Sequence, residues 1–314
     1  MNIIFSIQGG AGKCVMASAV CKAIKRKYPK DFLIVVSGYP ELFINNYYVD
    51  KAFSFAGLSY FYQDYIEDKD VMAMVHDPYV ETSFLHQNQH LIKTWCEMYD
   101  LPYEGDMPEI FLTKREIEHF HKNFNLDRPL MILQTNGGGD QNFKYSWARD
   151  MPSSTAIDII NHYKDRYLIA HIRRDDQTAY DNTAKATASF RELTALAMLS
   201  EKRLLIDSFM QHACASANLP STVLWVANSP TVFGYDMHTN ITANPFTNKP
   251  DIRQAYLTKF NIGGEPFEFP YNDEREIFDT EKIIMALEGE DVSSSCSNKI
   301  ITPPIKIGNN IIGD

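Results

Sequence analysis

The stretch LLIDSFMQHACASA at residues 204–217 decides the fold. Its apolar start, residues 204–206, predicts a buried strand, and the small residues after His212 suit a helix packed against a sheet. Asp207 and Ser208 stand between the two, and both residue types favour the N-cap of a helix. A strand, a polar turn and a helix in this order make half of a βαβ unit.

The turn at Asp207 and Ser208 is also a candidate anion site. The first backbone N–H groups of a helix have no partner within the helix, and they favour phosphate. His212 comes one turn into the predicted helix, where it would point at the same anion. The alternative is structural, because such caps usually serve the helix alone and a single histidine is more often a core or surface residue than a ligand.

The rest of the second half repeats the alternation of strands and helices. Strands are predicted at residues 130–133, 167–171, 203–206 and 222–226, and helices at residues 155–163, 190–199, 210–217 and 280–287. This order predicts a doubly wound α/β domain with a parallel sheet. We place the domain at residues 128–287 and expect a loosely packed tail at residues 288–314.

The first half opens with another βαβ unit. An apolar run at residues 3–7 predicts a strand, residues 15–28 predict a helix that Pro29 ends, and residues 32–36 predict the next strand. Weaker signals predict strands at residues 52–55 and 71–75 and helices at residues 90–99 and 114–123. The polar residues 125–129 mark a boundary, so the first Rossmann-like domain covers residues 1–127.

Composition and charge exclude several classes of protein. Hydrophobic residues make up 45% of the 314 residues and charged residues 22%, as in globular rather than disordered or collagen-like chains. The net charge of −10 disfavours nucleic-acid binding, so an anionic substrate needs a local positive site. The five scattered cysteines suit a reducing compartment, and without a signal peptide or membrane-spanning stretch we expect a cytoplasmic protein.

The glycine loop after the first predicted strand resembles a nucleotide-binding loop, but its spacing is wrong. A P-loop needs a glycine at the position of Ile7 and a serine or threonine at the position of Cys14. The chain also lacks the third glycine of the dinucleotide-binding fingerprint and the acidic residue that this fingerprint has after the second strand. The loop is either a plain tight turn or a binding place for an anion or a sugar, formed by Gly10, Gly12 and Lys13 at a helix N-terminus.

A third candidate is the glycine-rich loop at residues 136–140, which follows the strand predicted at residues 130–133. Ligands of open α/β sheets bind at the carboxyl ends of strands, so Gly137 and Gly138 lie where a ligand would bind. Lys144 would add positive charge there. Alternatively, Lys144 is solvated and Trp147 packs the loop onto the sheet.

Three groups of motifs follow one another in an order that is known from one family. The first group is GGAGK at residues 9–13, KRKYP at residues 25–29 and NYYVD at residues 46–50. The second is the glycine-rich loop with Lys144 and Trp147 after it. The third is FRELTAL at residues 190–196, DSFMQHA at residues 207–213 and LPSTVLW at residues 219–225. Over residues 2–50 and 130–235 the chain resembles glycosyltransferase family 9, the heptosyltransferase-like enzymes of the GT-B fold.

The resemblance implies two Rossmann-like doubly wound domains that face each other across a cleft. The second domain would hold a nucleotide-diphosphate sugar through Lys144, Asp207, Ser208, His212, Gly137 and Gly138. The first would present an unknown sugar or glycan acceptor near Gly10 and Gly12. We therefore expect a metal-independent glycosyltransferase without a cofactor, in which fixed hydrogen-bond donors stabilise the departing diphosphate. The alternative is a catalytically impaired nucleotide-sugar-binding protein of the same fold.

Two departures from the family pattern bear on catalysis. Phe209 replaces a glycine after Asp207 and Ser208, which would reshape the phosphate loop, and Lys13 replaces the acid that the family uses as base. We expect Lys13 to bind an acidic group of the acceptor or the donor phosphate, with the base supplied elsewhere. Asp77, after the strand predicted at residues 71–75, is the candidate, although residues 76–78 also suit a plain turn.

Overall fold

The computed structural model describes residues 1–122, 126–137, 146–248 and 269–292, together with the backbone of residues 306–307 and 310–311. Two of the predicted site residues, Gly138 and Lys144, lie outside the described residues. Most of the tail predicted at residues 288–314 lies outside them as well, although Lys306–Ile307 and Asn310–Ile311 pair as short antiparallel strands.

The first sheet has four parallel strands in the order β3-β2-β1-β4. They are β1 (Asn2–Ile7), β2 (Phe32–Ser37), β3 (Lys51–Phe53) and β4 (Val71–Met74). The register pairs Phe5 of β1 with both Val35 and Met74, so β1 is central. β1 and β2 are rich in apolar residues because a parallel sheet is covered on both faces.

The helices of the first half pack around this sheet. They are α1 (Ala11–Lys27), α2 (Phe61–Tyr65), α3 (Thr82–Leu85), α4 (Leu91–Met98) and α5 (Lys114–Lys122). The long helix α1 is buried along most of its length. Its last turn carries Lys25, Arg26 and Lys27, which complement the helix dipole and form ion pairs with nearby aspartates.

The second sheet has six parallel strands in the order β10-β9-β8-β5-β6-β7. They are β5 (Leu130–Leu133), β6 (Leu168–Ile172), β7 (Ala184–Ala186), β8 (Lys202–Ile206), β9 (Thr222–Trp225) and β10 (Thr239–Thr242). The helices of this half are α6 (Ser153–Tyr163), α7 (Phe190–Leu199), α8 (Phe209–Ser216), α9 (Pro230–Phe233) and α10 (Thr280–Leu287). None of the helices in the described part of the chain is long and apolar enough to span a membrane.

The predicted α/β architecture with two parallel sheets is confirmed, and the differences concern short elements. α1 begins at Ala11 rather than Val15, because the turn after β1 takes only residues 8–10. The edge strands β7 and β10 were not predicted, because their sequences AKA and TNIT contain no apolar run. The helices α2, α3 and α9 were not predicted either, because they are too short to show a helical period.

The hydrophobic core is continuous between the two halves. One cluster of buried residues contains Phe5 and Trp95 of the first half and also Leu205 and Trp225 of the second. Another cluster covers the opposite face of the second sheet. Because the larger cluster belongs to both halves, the domain boundary between residues 127 and 128 stays a prediction.

The helices α1 and α8 approach each other closely between the halves. A Cβ atom at Gly12 of α1 would lie only 2.8 Å from Cδ2 of His212 and 3.5 Å from Cα of Phe209. Real side chains do not tolerate the first of these distances, so this position needs glycine for close packing. Gly12, expected near the acceptor, therefore lies beneath the first turn of α8.

A buried arginine makes a second contact between the halves. Arg191 of α7 forms an ion pair with Glu116 of α5, with Nη2 and Oε1 separated by 2.6 Å. Its guanidinium also donates to the backbone carbonyls of Glu41, Ile44 and Phe111. A guanidinium needs such partners when it is buried, and here every one of them comes from the first half.

Replacing Gly12 tests the contact between α1 and α8. We expect Gly12→Ala to lower the free energy of unfolding by about 1–3 kcal/mol, because the added methyl group would overlap the His212 ring between two packed helices. Urea unfolding followed by circular dichroism measures the change. Gly10→Ala is the matched control, since nothing lies within 4 Å of its Cβ position and its φ of −80° suits alanine. Equal stability of the two variants would contradict close packing at Gly12.

Candidate active site

The candidate site lies where the carboxyl ends of strands from both sheets come together. In the first sheet the chain continues from β1 to β2 on one side and later to β4 on the other, which leaves a crevice between β1 and β4. In the second sheet β6 and β8 flank β5 in the same way. Ligands of open α/β sheets bind at such crevices, and the loops after these strands carry the candidate residues.

The crevice of the first sheet holds an ion pair between the two predicted catalytic residues. Lys13 lies in the first turn of α1 and Asp77 follows β4, with 2.7 Å between Lys13 Nζ and Asp77 Oδ1. The backbone N–H of Tyr79 donates to the same carboxylate oxygen at 2.9 Å, so Asp77 also caps the short 3₁₀ helix Pro78–Val80. The second oxygen, Oδ2, has no hydrogen-bond partner among the described residues.

The two members of the pair differ in exposure. The side chain of Lys13 is 4% exposed and that of Asp77 is 40% exposed. The Lys13 ammonium lies 4.3 Å from the ring centroid of Tyr79 and 5.3 Å from that of Trp95, distances that suit cation–π contacts. Burial lowers the pKa of Lys13, and the hydrogen bond to Asp77 partly offsets this. Asp77 is therefore the member of the pair that a substrate can reach.

The first glycine loop shapes the surroundings of Lys13. Gly9 has a φ of +109°, a conformation that favours glycine, and a Cβ there would lie 3.1 Å from Cδ of Lys13. Gly10 faces open space. The backbone thus turns closely around the stem of Lys13 and leaves Gly10 accessible.

In the second sheet, one buried carboxylate closes the glycine-rich loop. Asp150 accepts hydrogen bonds from the backbone N–H groups of Gly137 and Ser146, both at 2.9 Å, and from the side-chain amide of Asn136 at 3.1 Å. Burial raises the pKa of Asp150, and these hydrogen bonds partly offset the rise. Gln177 donates to the Gly137 carbonyl at 3.1 Å. Both ends of the loop are therefore fixed, with Gly137 at the carboxyl end of β5.

Arg149 connects this loop to the turn after β8. Its Nε donates to the backbone carbonyl of Asp207 at 2.6 Å. A Cβ atom at Gly137 would lie 2.9 Å from Nε and 3.0 Å from Cζ of Arg149, so the guanidinium packs directly on this glycine. The Asp207 carboxylate accepts a hydrogen bond from the side-chain amide of Asn228, which follows β9. Loops after three neighbouring strands thus meet at Asp207.

The N-cap of α8 lies at a predicted residue, but the predicted side-chain hydrogen bond to the helix is absent. Ser208 is the N-cap residue of α8, yet its side chain caps no backbone N–H group. The residue is 5% exposed, and its hydroxyl has no partner among the described residues. Asp207 does not cap the helix either, because its carboxylate bonds to Asn228. The first N–H groups of α8 therefore have no side-chain cap among these residues.

His212 is enclosed between the halves. It is 3% exposed, its Nδ1 lies 2.8 Å from the Tyr235 hydroxyl, and its ring is in contact with Gly12. Burial lowers the pKa of His212 well below the usual value, so the imidazole is neutral near pH 7. The ring packs between α1 and α8, and its predicted part in donor binding stays a prediction.

Phe209, one of the two departures from the family pattern, fills the contact between the halves. It is the first residue of α8 and is buried, with its ring centroid 4.4 Å from that of Phe190. The Phe190 ring in turn packs edge-on against Tyr39 of the first half at 5.3 Å. The phenyl group therefore takes a place in the core, where a glycine would leave a cavity.

Three residues that connect the loops at the crevice of the second sheet were not predicted from the sequence: Arg149, Asp150 and Asn228. A signal was present for the first two, since an Arg-Asp pair begins two residues after Trp147, in the segment that follows the glycine-rich loop. Asn228 follows the strand β9, in the position where open α/β sheets carry ligand-binding residues. None of the three residues belongs to a recognisable sequence motif. Their hydrogen bonds depend on how separate loops come together in the fold.

The described residues contain no group of three histidine, cysteine, aspartate or glutamate side chains that could hold a metal ion. Asp175 and Asp176, two adjacent acidic residues after β6, form ion pairs. Asp175 pairs with Lys185, and Asp176 pairs with Arg174.

The fold is similar to those of solved glycosyltransferases, whereas no family model and no curated protein matches the sequence. A family 9 glycosyltransferase from Veillonella parvula DSM 2008 superposes with a TM-score of 0.63 at 9% identity, over 92% of this chain and 96% of that one. The ADP-heptose LPS heptosyltransferase II of E. coli gives a TM-score of 0.64 at 12% identity, over 92% of this chain and 100% of that one.

A third similar structure is the iron-containing dodecameric glycosyltransferase TibC from enterotoxigenic E. coli H10407. It gives a TM-score of 0.56 at 10% identity, over 89% of this chain and 67% of that one. Identities this low establish likeness of fold alone. The predicted GT-B fold, and with it the resemblance to glycosyltransferase family 9, is confirmed at that level.

A buried histidine supports the residues before Gly137. His171 Nε2 lies 2.8 Å from the Thr135 hydroxyl, which itself donates to Asn136 Oδ1 at 2.8 Å. His171 Nε2–H is therefore the donor to Thr135, and Nδ1 is buried without a hydrogen-bond partner among the described residues. Burial and the nearby charge of Arg173 lower the pKa of His171 to about 4.

Acid should destabilise the protein through His171. Its pKa is lower in the folded chain than the ordinary value near 6.5. The contribution of neutral His171 to the free energy of unfolding is therefore fully present above pH 6.5 and is lost as the pH falls toward 4. Between pH 7 and pH 5 we expect this residue to cost about 2 kcal/mol of unfolding free energy. Urea unfolding at both pH values should show that His171→Gln removes this part of the loss. His86→Gln, at an exposed histidine, is the control, and an unchanged pH dependence in His171→Gln would contradict the assignment.

Proposed function

We propose that this chain transfers a sugar from a nucleotide-diphosphate sugar to a hydroxyl group of an unknown acceptor, without a metal ion. Support comes from an accessible carboxylate at the crevice of the first sheet and an uncapped helix N-terminus at the crevice of the second. The contact between α1 and α8 brings these crevices together. The fold agrees, because a structure of similar fold is an ADP-heptose heptosyltransferase.

The observation that carries the proposal is the arrangement of Asp77. A general base must reach the proton that it removes. Lys13 and the Tyr79 N–H hold one carboxylate oxygen of Asp77, while Oδ2 has no partner among the described residues. The Tyr79 ring packs against Phe233 of the second half, with 6.2 Å between ring centroids. The carboxylate thus stands beside the half of the chain that would hold the donor.

The reaction would proceed between these two groups. The acceptor oxygen attacks the anomeric carbon of the donor sugar while its proton passes to Oδ2 of Asp77. The bond between that carbon and the diphosphate oxygen breaks, and the electron pair leaves with the diphosphate. The first N–H groups of α8 and the hydroxyl of Ser208 would stabilise the negative charge. Lys144 and Gly138, expected to contribute here, lie outside the described residues.

Lys13 acts on Asp77 in this proposal rather than on the substrate. Its ammonium is enclosed and paired with the carboxylate, which favours this role over the expected contact with an acidic group of the acceptor or the donor phosphate. The ion pair and the hydrogen bond from Tyr79 fix the orientation of the Asp77 carboxylate. The carboxylate that the family pattern has at position 13 would here come from the loop after β4, at the opposite side of the same crevice.

The alternative function is binding of a nucleotide sugar without turnover, and the same ion pair favours it in one respect. The Lys13 ammonium occupies one oxygen of the Asp77 carboxylate at 2.7 Å, which leaves a single oxygen for the proton of an acceptor. A panel of nucleotide-diphosphate sugars and glycan acceptors separates the two functions. Donor binding without transfer over the whole panel would support the binding protein.

The partners and location in this proposal are those expected from the sequence. The partners are a nucleotide-diphosphate sugar and a glycan acceptor, and the net charge of −10 disfavours nucleic acid. A cytoplasmic location agrees with the free thiols of Cys14, Cys21, Cys96 and Cys214.

Asp77→Asn tests the base. We expect kcat to fall by about 10²–10⁴-fold while the KM for the donor changes little, because the amide fills the same space but cannot accept the proton. Steady-state transfer assays with the donor and acceptor panel give both constants. Glu81→Gln, which removes another carboxylate four residues after Asp77, is the matched control and should keep wild-type turnover.

The outcome that would remove Asp77 from the mechanism is wild-type turnover in Asp77→Asn. Lys13→Ala should lower kcat, since Asp77 loses its anchor, with less effect on either KM. If Lys13→Ala instead raised mainly one KM, Lys13 would be a substrate contact. A rise in turnover with Lys13→Asp would show an impaired transferase that lacks its base.

Chelation tests independence from metal. Transfer should continue at an unchanged rate in excess EDTA, because backbone N–H groups and fixed side chains would stabilise the leaving diphosphate. The assay compares initial rates with and without the chelator. Loss of activity that magnesium, manganese or iron restores would contradict the proposed chemistry.

A further inference from the structure

A groove lies beside β3, the edge strand of the first sheet that is farthest from β4. It has a volume of about 520 Å³ and is lined by residues of the segment 40–46, which follows β2, and of the segment 49–52, which includes the start of β3. This volume is in the range of cavities that bind small molecules. The groove is separate from Lys13 and Asp77, which belong to the crevice between β1 and β4, and the proposed reaction does not use it.

One wall of the groove is held in place by residues outside it. Arg191 Nη1 donates to the backbone carbonyls of Glu41 and Ile44, both at 3.3 Å. Asn45 has a φ of 63°, a left-handed conformation that asparagine tolerates, and its side-chain amide donates to Glu116 Oε2 at 3.4 Å. The wall is therefore formed before a ligand arrives, and binding there requires little ordering of the chain.

Asn46 gives the groove a buried hydrogen-bond donor. The residue is 5% exposed and belongs to the lining. Its Oδ1 accepts a hydrogen bond from the backbone N–H of Tyr48 at 2.9 Å, which fixes the amide plane. Its Nδ2 is buried and has no hydrogen-bond partner among the described residues. Because a buried polar group without a partner is costly, such a donor indicates that a water molecule or a ligand accepts from it.

The charges in the groove do not favour an acidic ligand. The lining contains one cation, Lys51, and the carboxylates of Glu41 and Asp50. Asp50 is bonded to Lys25 and to the backbone N–H of Leu33. The side chains of Glu41 and Lys51 have no ion-pair partner in the part of the chain that the structure describes, and their charges are opposite. The groove thus has no excess of positive charge for a phosphate or a carboxylate.

The segments that leave the carboxyl ends of the first sheet have the same character. Residues 8–10, 38–50, 54–60 and 75–81 follow β1, β2, β3 and β4, and they contain no lysine or arginine. Phosphate and carboxylate groups are usually bound by these two residue types. The whole carboxyl side of the first sheet therefore suits a ligand without acidic groups.

The lining favours a sugar over a peptide. Since β3 has only three residues, its free edge offers few backbone hydrogen bonds to an added strand. Sugar hydroxyl groups both donate and accept, which matches the donor of Asn46 and the acceptor of Glu41. The side chain of Ile44 is 48% exposed in the wall, where the C–H face of a sugar ring can pack on it.

We propose that this groove binds an uncharged oligosaccharide, with Asn46 Nδ2 donating to a sugar oxygen and the Glu41 carboxylate accepting from a sugar hydroxyl. That the oligosaccharide is part of the acceptor rests on the proposed function, whereas the binding site rests on the groove itself. β3 and β4 are three strand spacings apart, roughly 14 Å. The groove would therefore hold a distal part of the acceptor chain while another sugar unit presents its hydroxyl to Asp77.

Calorimetric titration of the full chain with maltohexaose, cellohexaose, mannohexaose and N-acetylchitohexaose tests the groove. We expect binding of a hexasaccharide that does not change with ionic strength, because the ligand carries no charge. Asn46→Asp keeps the acceptor for Tyr48 but replaces the free donor by an oxygen, and it should weaken binding by about tenfold. Ala52→Leu should abolish binding by filling the groove. Asn161→Asp, the same change at an exposed residue of α6, is the matched control.

Galacturonate oligomers and an unfolded polypeptide, reduced and alkylated α-lactalbumin, are titrated as the competing ligand classes. Binding of either one at the groove in place of the neutral sugars overturns the proposal. It is also overturned if the wild type binds none of the four hexasaccharides, or if both variants bind them like the wild type. Thermal melting shows whether each variant is folded, and Ala52→Leu tests the groove with Asn46 intact.

Transfer assays on the same variants separate the groove from the proposed function. If hexasaccharide binding is lost in the variants but no donor of the panel is turned over, the groove stands and the transferase proposal fails. If transfer to a hexasaccharide has the wild-type KM in both variants, the transferase stands and the groove fails.

Discussion

The structure depends on one steric constraint, the absence of a side chain at Gly12 where α1 meets His212 of α8. Each of these helices starts at the carboxyl end of a sheet strand, so their contact brings the crevices of both sheets together. The imidazole can pack there because it is neutral and its Nδ1 is bonded to Tyr235. This close contact also sets the position of the Lys13–Asp77 ion pair relative to the guanidinium of Arg149.

The fold and part of the site could be predicted because they follow from local patterns. The apolar strands β1, β5, β8 and β9 and the helices after them are evident from periodicity and turn residues. Lys13 and Asp77 were identified separately, and their meeting is a consequence of strand order, since β1 and β4 are neighbours in the sheet. Position after a strand was thus a better guide to the site than residue type.

What could not be predicted depends on contacts between loops. The anchoring of Arg149 requires that Gly137 and the carbonyl of Asp207 lie on either side of its stem, and nothing in the local sequence carries that information. The burial of His212 has the same origin, because its surroundings come from α1 and Tyr235 rather than from its own helix. Short polar strands such as β7 and β10 form only because a neighbouring strand offers hydrogen bonds.

The contacts of Arg191 have a consequence for motion. Opening the two halves like a hinge at α7 would break the ion pair with Glu116 and the hydrogen bonds to the carbonyls of Glu41, Ile44 and Phe111. It would also expose apolar surface of the cluster that both halves share. Water would have to replace these partners of the guanidinium, and the newly exposed apolar surface would cost about 25 cal/mol per Å². Movement of the loops around the two crevices leaves these contacts intact, and it therefore costs less free energy than rotation of one half against the other.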